Sequence, residues 1–208
     1  MANNYHYYQK EQSDLHSNPN TFDFNFKGLN LKYKTDDGVF SKKYIDYGSF
    51  VMLNNFIPND LSEPILDMGA GYGALGITIS KLYNKEVHMC EINERAYNLI
   101  KENIKVNKAQ DIYAYHSDLF ESLPNELMFS SVVTNPPIRA GKQVVFAIYD
   151  GAFKRLVSGG ELWVVIQKKQ GAPSSKAHLE ELFGNCEIVD KDKGYYILKS
   201  IKNRKLAK

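Results

Sequence analysis

The stretch Asp67-Met68-Gly69-Ala70-Gly71-Tyr72-Gly73-Ala74-Leu75-Gly76 follows an apolar run and joins a carboxylate to closely spaced glycines. Glycines in a strand-to-helix turn adopt left-handed backbone and let a ligand touch the main chain. Gly71, Gly73 and Gly76 fit the dinucleotide fingerprint, but Asp67 argues against a dinucleotide. A helix N-terminus at such a turn faces a pyrophosphate, and a carboxylate beside it would repel the phosphates. No Lys-Ser or Lys-Thr follows the glycines, which excludes a nucleoside-triphosphate loop. The loop suits a ligand that carries positive charge and no phosphate.

S-adenosylmethionine, with its sulfonium and ammonium groups, is such a ligand. Glu91 comes about twenty residues after the loop, where a carboxylate can hold both hydroxyls of a ribose. Asp118 ends the next apolar run, where it can accept a hydrogen bond from an adenine amine. Ile92 and Leu119, which follow these two acids, are assigned to the same ligand. Three acids at the ends of three successive strands fall on the edge where open α/β sheets bind ligands.

A fourth run, Ser-Ser-Val-Val-Thr, leads into Asn135-Pro136-Pro137-Ile138. Two prolines cannot continue a central strand, so they stiffen the chain at that edge. Asn135 offers a side-chain oxygen and Pro136 a backbone oxygen. Two fixed acceptors suit an NH2 group conjugated to a ring or a carbonyl. Accepting both N–H bonds draws such a nitrogen toward tetrahedral geometry and localises its lone pair. This is catalysis by positioning and electrostatics.

These residues need a scaffold of alternating strands and helices. Strands are expected at 64–68, 86–91, 112–117, 130–135 and 161–167, with helices near 74–83, 93–107 and 142–157 between them. Asn93 caps the second of these helices and Gly159-Gly160 ends the third. A helix near 175–183 and strands near 186–190 and 195–200 follow. The link between these last strands, Lys191 to Gly194, is too short for a crossover, so the final pair is antiparallel. In it Tyr195 and Tyr196 are expected to alternate between core and surface. The fold class is α/β: a doubly wound, mostly parallel seven-stranded sheet with an antiparallel last pair, plus an N-terminal hairpin.

That hairpin is read from Phe22, Phe24 and Phe26 and from Leu29, Leu31 and Tyr33, whose alternation slips by one residue at Lys27-Gly28. A two-residue turn there pairs Phe26 with Leu29, Phe24 with Leu31 and Phe22 with Tyr33 on one apolar face. Ser41 is expected to cap a helix running to about Phe56, with Ile45, Met52 and Phe56 on its inner stripe. The expected organisation is a loose arm at 1–20, the hairpin and helix at 21–57, a catalytic domain at 58–200 and a basic tail at 201–208.

A chain of 208 residues with 43% hydrophobic and 24% charged residues has room for one domain with a buried core. Cys90 and Cys186 lie far apart, and the five histidines have no metal-ligand spacing, so neither a disulfide framework nor a metal site is expected. The N-terminus is polar, and no run approaches the ~18 apolar residues that span a bilayer. A cytoplasmic location without membrane association is expected. The net charge is +2, but Lys191 to Lys208 holds seven Lys/Arg against one Asp, a weak pointer to nucleic acid.

The DxGxGxG pattern at Asp67–Gly73 together with NPPI at 135–138 resembles the class I S-adenosylmethionine-dependent methyltransferases. With GVFSKKYIDYGS (38–49), NPPIRAGK (135–142) and IQKKQGAP (166–173), residues 22–200 resemble the catalytic domain of the small-subunit (16S) ribosomal RNA guanine-N2 methyltransferases, called methyltransferase C. The resemblance implies that Asp67, Gly69, Gly71, Glu91 and Asp118 hold the cofactor and that Asn135 holds the target amine. Two features depart from that family. The fourth motif position is often aromatic and here is Ile138, and the family's extra N-terminal domain is not expected here.

Arg139 and Lys142 follow NPPI, while Lys168 and Lys169 follow the fifth strand of the sheet. With Pro137 and Ile138 they are the expected substrate side, and the four cations suit the phosphates beside an extruded base. The expected partner is small-subunit ribosomal RNA or an assembled small subunit. A protein glutamine amide and an adenine amine pose the same chemical problem, and a non-catalytic RNA-binding module could keep the fold.

Overall fold

The computed structural model describes residues 17–39 and 44–203. The chain opens with a hairpin, β1 (Asn20–Phe26) and β2 (Leu29–Thr35), followed by helix α1 (Tyr47–Asn55). Then come β3 (Ile65–Met68), α2 (Ala74–Tyr83), β4 (Val87–Glu91), α3 (Glu94–Val106), β5 (Ile112–His116) and β6 (Phe129–Thr134). Helix α4 (Lys142–Arg155), β7 (Leu156–Gln167), α5 (Ala172–Phe183), β8 (Glu187–Asp192) and β9 (Tyr195–Ile201) complete it.

Strands β3 to β9 form one seven-stranded sheet in the order β5-β4-β3-β6-β7-β9-β8. The pairs from β5 to β7 are parallel, and β9 runs antiparallel to both β7 and β8. The chain leaves β3 toward β4 and β5, then crosses back to β6 on the other flank of β3. The order reverses between β3 and β6, so a crevice opens at their carboxyl ends.

Side-chain alternation sends neighbouring strand residues to opposite faces. Ile65, Val133 and Val165 face a core shared with α1, α2, α3 and the hairpin. Leu66, Val132, Val164 and Ile166 face a second core under α4 and α5. All of β6 and the Gly160–Ile166 stretch of β7 are buried because both faces of the sheet are covered there.

The hairpin has the expected register: Phe26 lies opposite Leu29, Phe24 opposite Leu31 and Phe22 opposite Tyr33. Its apolar face packs on the first core, and the fully buried Tyr33 shares a hydrogen bond with Thr78 at 2.8 Å. The outer edge of β2 is closed by side chains. Asn103 on α3 and Asn107, the cap at its C-terminal end, each accept from a backbone N–H and donate to the carbonyl of the same residue, Lys34 and Lys32 respectively. Two amides thus stand in for a neighbouring strand.

Several expectations are corrected. Helix α1 starts at Tyr47 with Asp46 as its cap, and Ser41 lies outside the described residues. Ile45 precedes the helix, while Met52 and Phe56 are buried as read. Gly159-Gly160 does not end α4. That helix stops at Arg155, where Leu156 turns extended, and the glycines sit inside β7 at a shift of its register with β6. A Cβ on Gly160 would stand 2.9 Å from the Val157 carbonyl oxygen, which explains glycine there. Helix α5 begins at Ala172 because Pro173 suits a first turn. Tyr195 and Tyr196 are both half-buried, one against each core. Of the arm expected at 1–20, residues 17–20 are described: Ser17 and Asn18 bond to Asp36, and Asn20 opens β1. Residues 204–208 of the basic tail lie outside the described residues.

Candidate functional site

The crevice between β3 and β6 is a cleft with about 870 Å³ of atom-free space, counted out to its open mouth. Asp67, Gly69, Gly71, Glu91, Ile92, Leu119, Asn135 and Pro137, all singled out in the sequence, line it.

Asp67 sits in β3 and is almost fully buried. Its Oδ2 accepts the Gly76 N–H at 2.8 Å, which ties β3 to the first turn of α2. Gly76 must be a glycine, since a Cβ would stand 2.7 Å from the Met89 sulfur. Gly69 and Gly71 have φ of +76° and +58°, and a Cβ on either would point into open space. Their glycines serve the left-handed backbone and leave the loop bare toward the cleft.

Glu91 ends β4, and its two oxygens are oriented by the backbone. Oε2 accepts the Gly71 N–H at 2.7 Å and Oε1 the Asn93 N–H at 2.8 Å. The lone pairs that remain can accept hydroxyl donors. Asn93 in turn caps α3 through the Ala96 N–H, as expected.

Burial pushes the carboxyl groups of both Asp67 and Glu91 up to about 7. Backbone N–H bonds oppose that rise in each, and the nearby charges of Glu91 and Asp46 raise Asp67 further. Asp46 is itself raised by burial. The charges of Glu91 and Asp46 thus both bear on Asp67 in one cleft, and a cationic ligand relieves that repulsion. Depth, charge and bare glycine backbone all fit S-adenosylmethionine.

Asn135 follows β6 on the lip of the cleft. Its Nδ2 donates to Asp46 Oδ1 at 2.8 Å and to Ser49 Oγ at 3.3 Å. Both N–H bonds are committed to the protein, so Oδ1 is the end left for a substrate. Asp46 and Ser49 were absent from the residues assigned a role in the sequence, although both lie in the family-like segment 38–49. The Asp-x-x-Ser spacing of a helix cap was the available signal.

Other expected residues stand elsewhere. Gly73 caps α2 and packs toward Ile77 and Ile100 rather than lining the cleft. Asp118 is exposed and outside the lining, between the lining residues Ser117 and Leu119. Pro136 is buried, and Ile138 packs against the second core. Arg139, Lys142, Lys168 and Lys169 are exposed in the turns after β6 and β7, which are adjacent parallel strands, so they share the cleft's edge of the sheet. Beside them lies a group with no role assigned in the sequence. Tyr47 and Tyr195 pack with ring centroids 5.6 Å apart, Lys193 lies over the Tyr47 ring, and Gln167 donates to the Tyr195 hydroxyl.

Comparison with known proteins agrees with this geometry. The family model described as the methyltransferase small domain matches residues 30–199. The uncharacterized protein YbxB of Bacillus subtilis is 44% identical over 95% of this chain and 98% of its own. Ribosomal RNA small subunit methyltransferase C of Vibrio cholerae is 30% identical over 83% of this chain and 50% of its own. A solved structure of the Thermus thermophilus ("T. Thermophilus") 16S rRNA N2 G1207 methyltransferase, in complex with AdoMet and guanosine, superposes with a TM-score of 0.79. It is 27% identical, over 89% of this chain and 51% of that one. The chain thus spans about half the length of the ribosomal RNA methyltransferases it matches. The acid-lined glycine cleft, the Asn-Pro-Pro lip and the family match agree: the chain belongs to the methyltransferase small domain family and uses S-adenosylmethionine as its methyl donor.

Proposed function

We propose that this protein methylates the exocyclic N2 amine of a guanine in small-subunit ribosomal RNA. The observation that carries the reading is Asn135: an amide on the cleft lip with both N–H bonds engaged and its oxygen free to accept. An acceptor there selects a nucleophile that carries hydrogens, and a conjugated NH2 is such a group.

In this reading Asp67, Gly69, Gly71, Glu91, Ile92, Asp118 and Leu119 hold the donor, which supplies a methyl group on a cationic sulfur, and Gly73 acts only by shaping the turn into α2. Asp118 turns onto the adenine amine. Asn135 Oδ1 and the Pro136 carbonyl accept the two amine hydrogens. As the nitrogen becomes tetrahedral these bonds strengthen and its lone pair aligns with the methyl carbon. The nitrogen–carbon bond forms as the sulfur–carbon bond breaks, and the surplus amine proton leaves to water. Pro137, which lines the cleft, covers the base, and Arg139, Lys142, Lys168 and Lys169 meet the flanking phosphates in an RNA-protein encounter in the cytoplasm. The exposed cations favour RNA over a protein amide, and the relatives named for ribosomal RNA support the same choice.

The test uses purified protein, methyl-labelled S-adenosylmethionine and small ribosomal subunits from cells lacking the protein. Label in N2-methylguanosine after digestion is the expected result. Label in N6-methyladenosine or in protein glutamine would replace this reading with one of its rivals.

A further inference from the structure

Resting on the amine-methyltransferase reading above, we propose that Asp46 is a positioning residue that sets the hydrogen-bond polarity of the substrate site through Asn135. A primary amide is nearly the same shape either way round, with a donor at one end and an acceptor at the other. Something must choose which end meets the substrate. Asp46 Oδ1 lies 2.8 Å from Asn135 Nδ2, and an ionised carboxylate can only accept. A flipped Asn135 would set oxygen against oxygen at that distance.

The carboxylate cannot easily move aside to allow the flip. The same Oδ1 accepts the Ser49 N–H at 3.1 Å and so caps α1. Gly48 keeps the contact open: a Cβ there would stand 3.1 Å from Asp46 Oδ1, 3.2 Å from Asn135 Nδ2 and 3.0 Å from the Tyr195 ring. The helix cap, the glycine and the amide form one assembly, although Asn135 lies 89 positions after Asp46 in the chain. Its consequence is selectivity. Oδ1 of Asn135 faces the substrate, so a nucleophile bringing N–H bonds is welcomed. A ring nitrogen or carbonyl bringing only a lone pair meets another acceptor and is turned away.

Two measurements on the full chain test this. Asp46→Ser keeps a good helix cap but is too short to reach Asn135. The side-chain amide signals of Asn135 are identified in a ¹⁵N spectrum by their loss in Asn135→Ala. They are expected to shift and to exchange faster with water in Asp46→Ser; unchanged signals overturn the proposal, and no substrate is needed. Should the serine variant fail to fold, Asp46→Asn, which retains a neutral acceptor, is read in the same way, with a smaller shift expected.

The second measurement is single-turnover methylation of small ribosomal subunits from cells lacking the protein. At saturating cofactor, Asp46→Ser is expected to slow transfer by roughly ten- to a hundredfold, with Asp46→Asn in between. In an Asn135→Ala background the serine change is expected to alter the rate by less than about threefold, because its partner is gone. A multiplicative loss in the double variant marks an independent structural role and overturns the proposal. An Asn135→Ala protein as fast as wild type would instead sink the catalytic reading of Asn135. Loss in Asn135→Ala with none in Asp46→Ser would sink only the positioning role.

Discussion

Asp67 and Glu91 are acids with almost no water around them, and their behaviour with pH follows from that. Their folded-state values of about 7 lie above the ordinary 3.8 and 4.5. Between those limits the folded, cofactor-free protein holds more protons than the unfolded chain. Stability from these groups is therefore complete below about pH 4 and is lost as pH rises toward 7. Asp67→Asn is expected to flatten that decline, read as melting temperature from pH 5 to 8 without cofactor. S-adenosylmethionine favours the ionised carboxylates, so its stabilising effect is expected to grow over the same range. NADH is expected to give no stabilisation, and Gly71→Val to weaken methyl-donor binding by straining a left-handed residue beside the cleft. Asn135→Asp retains an acceptor but sets a second carboxylate against Asp46. It is expected to lose activity nearly as fully as Asn135→Ala at neutral pH, on the order of a hundredfold in kcat. That Asp67, Gly69, Gly71, Glu91 and Asn135 gather at one cleft was legible in the sequence because motif spacing is local, while Asp118 and Gly73 fall outside its lining. Asp46 was not legible, because its partner lies on a distant strand end and only the fold brings them together.

At the scale of elements, what was read well is what local chemistry decides. The hairpin register followed from one phase slip at Lys27-Gly28, since a two-residue turn leaves one pairing. The antiparallel last pair followed from the shortness of its connection. The misplaced starts and ends have physical causes too. Asp46, whose side chain accepts the Ser49 N–H, fixes the start of α1 at Tyr47, and Gly159-Gly160 reads like a helix stop but serves a close approach of β7 to β6. The pairing of β2 with Asn103 and Asn107 left no periodic trace, because polar residues on a helix face usually mean water. Asn103 is fully buried and also donates to the Tyr72 carbonyl at 2.9 Å. Asn103→Ala strands several backbone groups at once and is expected to lower unfolding free energy by about 3 kcal/mol in a denaturant titration. Loss below about 0.5 kcal/mol would mean that water replaces the amide without penalty.

Across the whole molecule, the sheet gathers its chemistry on one edge: the acids and glycines of the cofactor cleft on one side of the switch point, Asn135 at its lip, and exposed cations beyond. Among the described residues no helix is long and apolar enough to cross a membrane, and no cluster of His, Cys, Asp and Glu could hold a metal ion. The proposed RNA surface predicts that Lys168→Glu with Lys169→Glu weakens RNA binding and lowers its salt dependence, while leaving S-adenosylmethionine affinity nearly unchanged. RNA affinity unaltered at moderate salt would remove these lysines from the interface. The most direct test of the central claim compares ribosomal RNA nucleosides by mass spectrometry from cells with and without this protein. The account predicts that one N2-methylguanosine of the small-subunit RNA disappears, returns with the wild-type gene and stays absent with Asn135→Ala. A nucleoside profile identical in the two cell lines would contradict it.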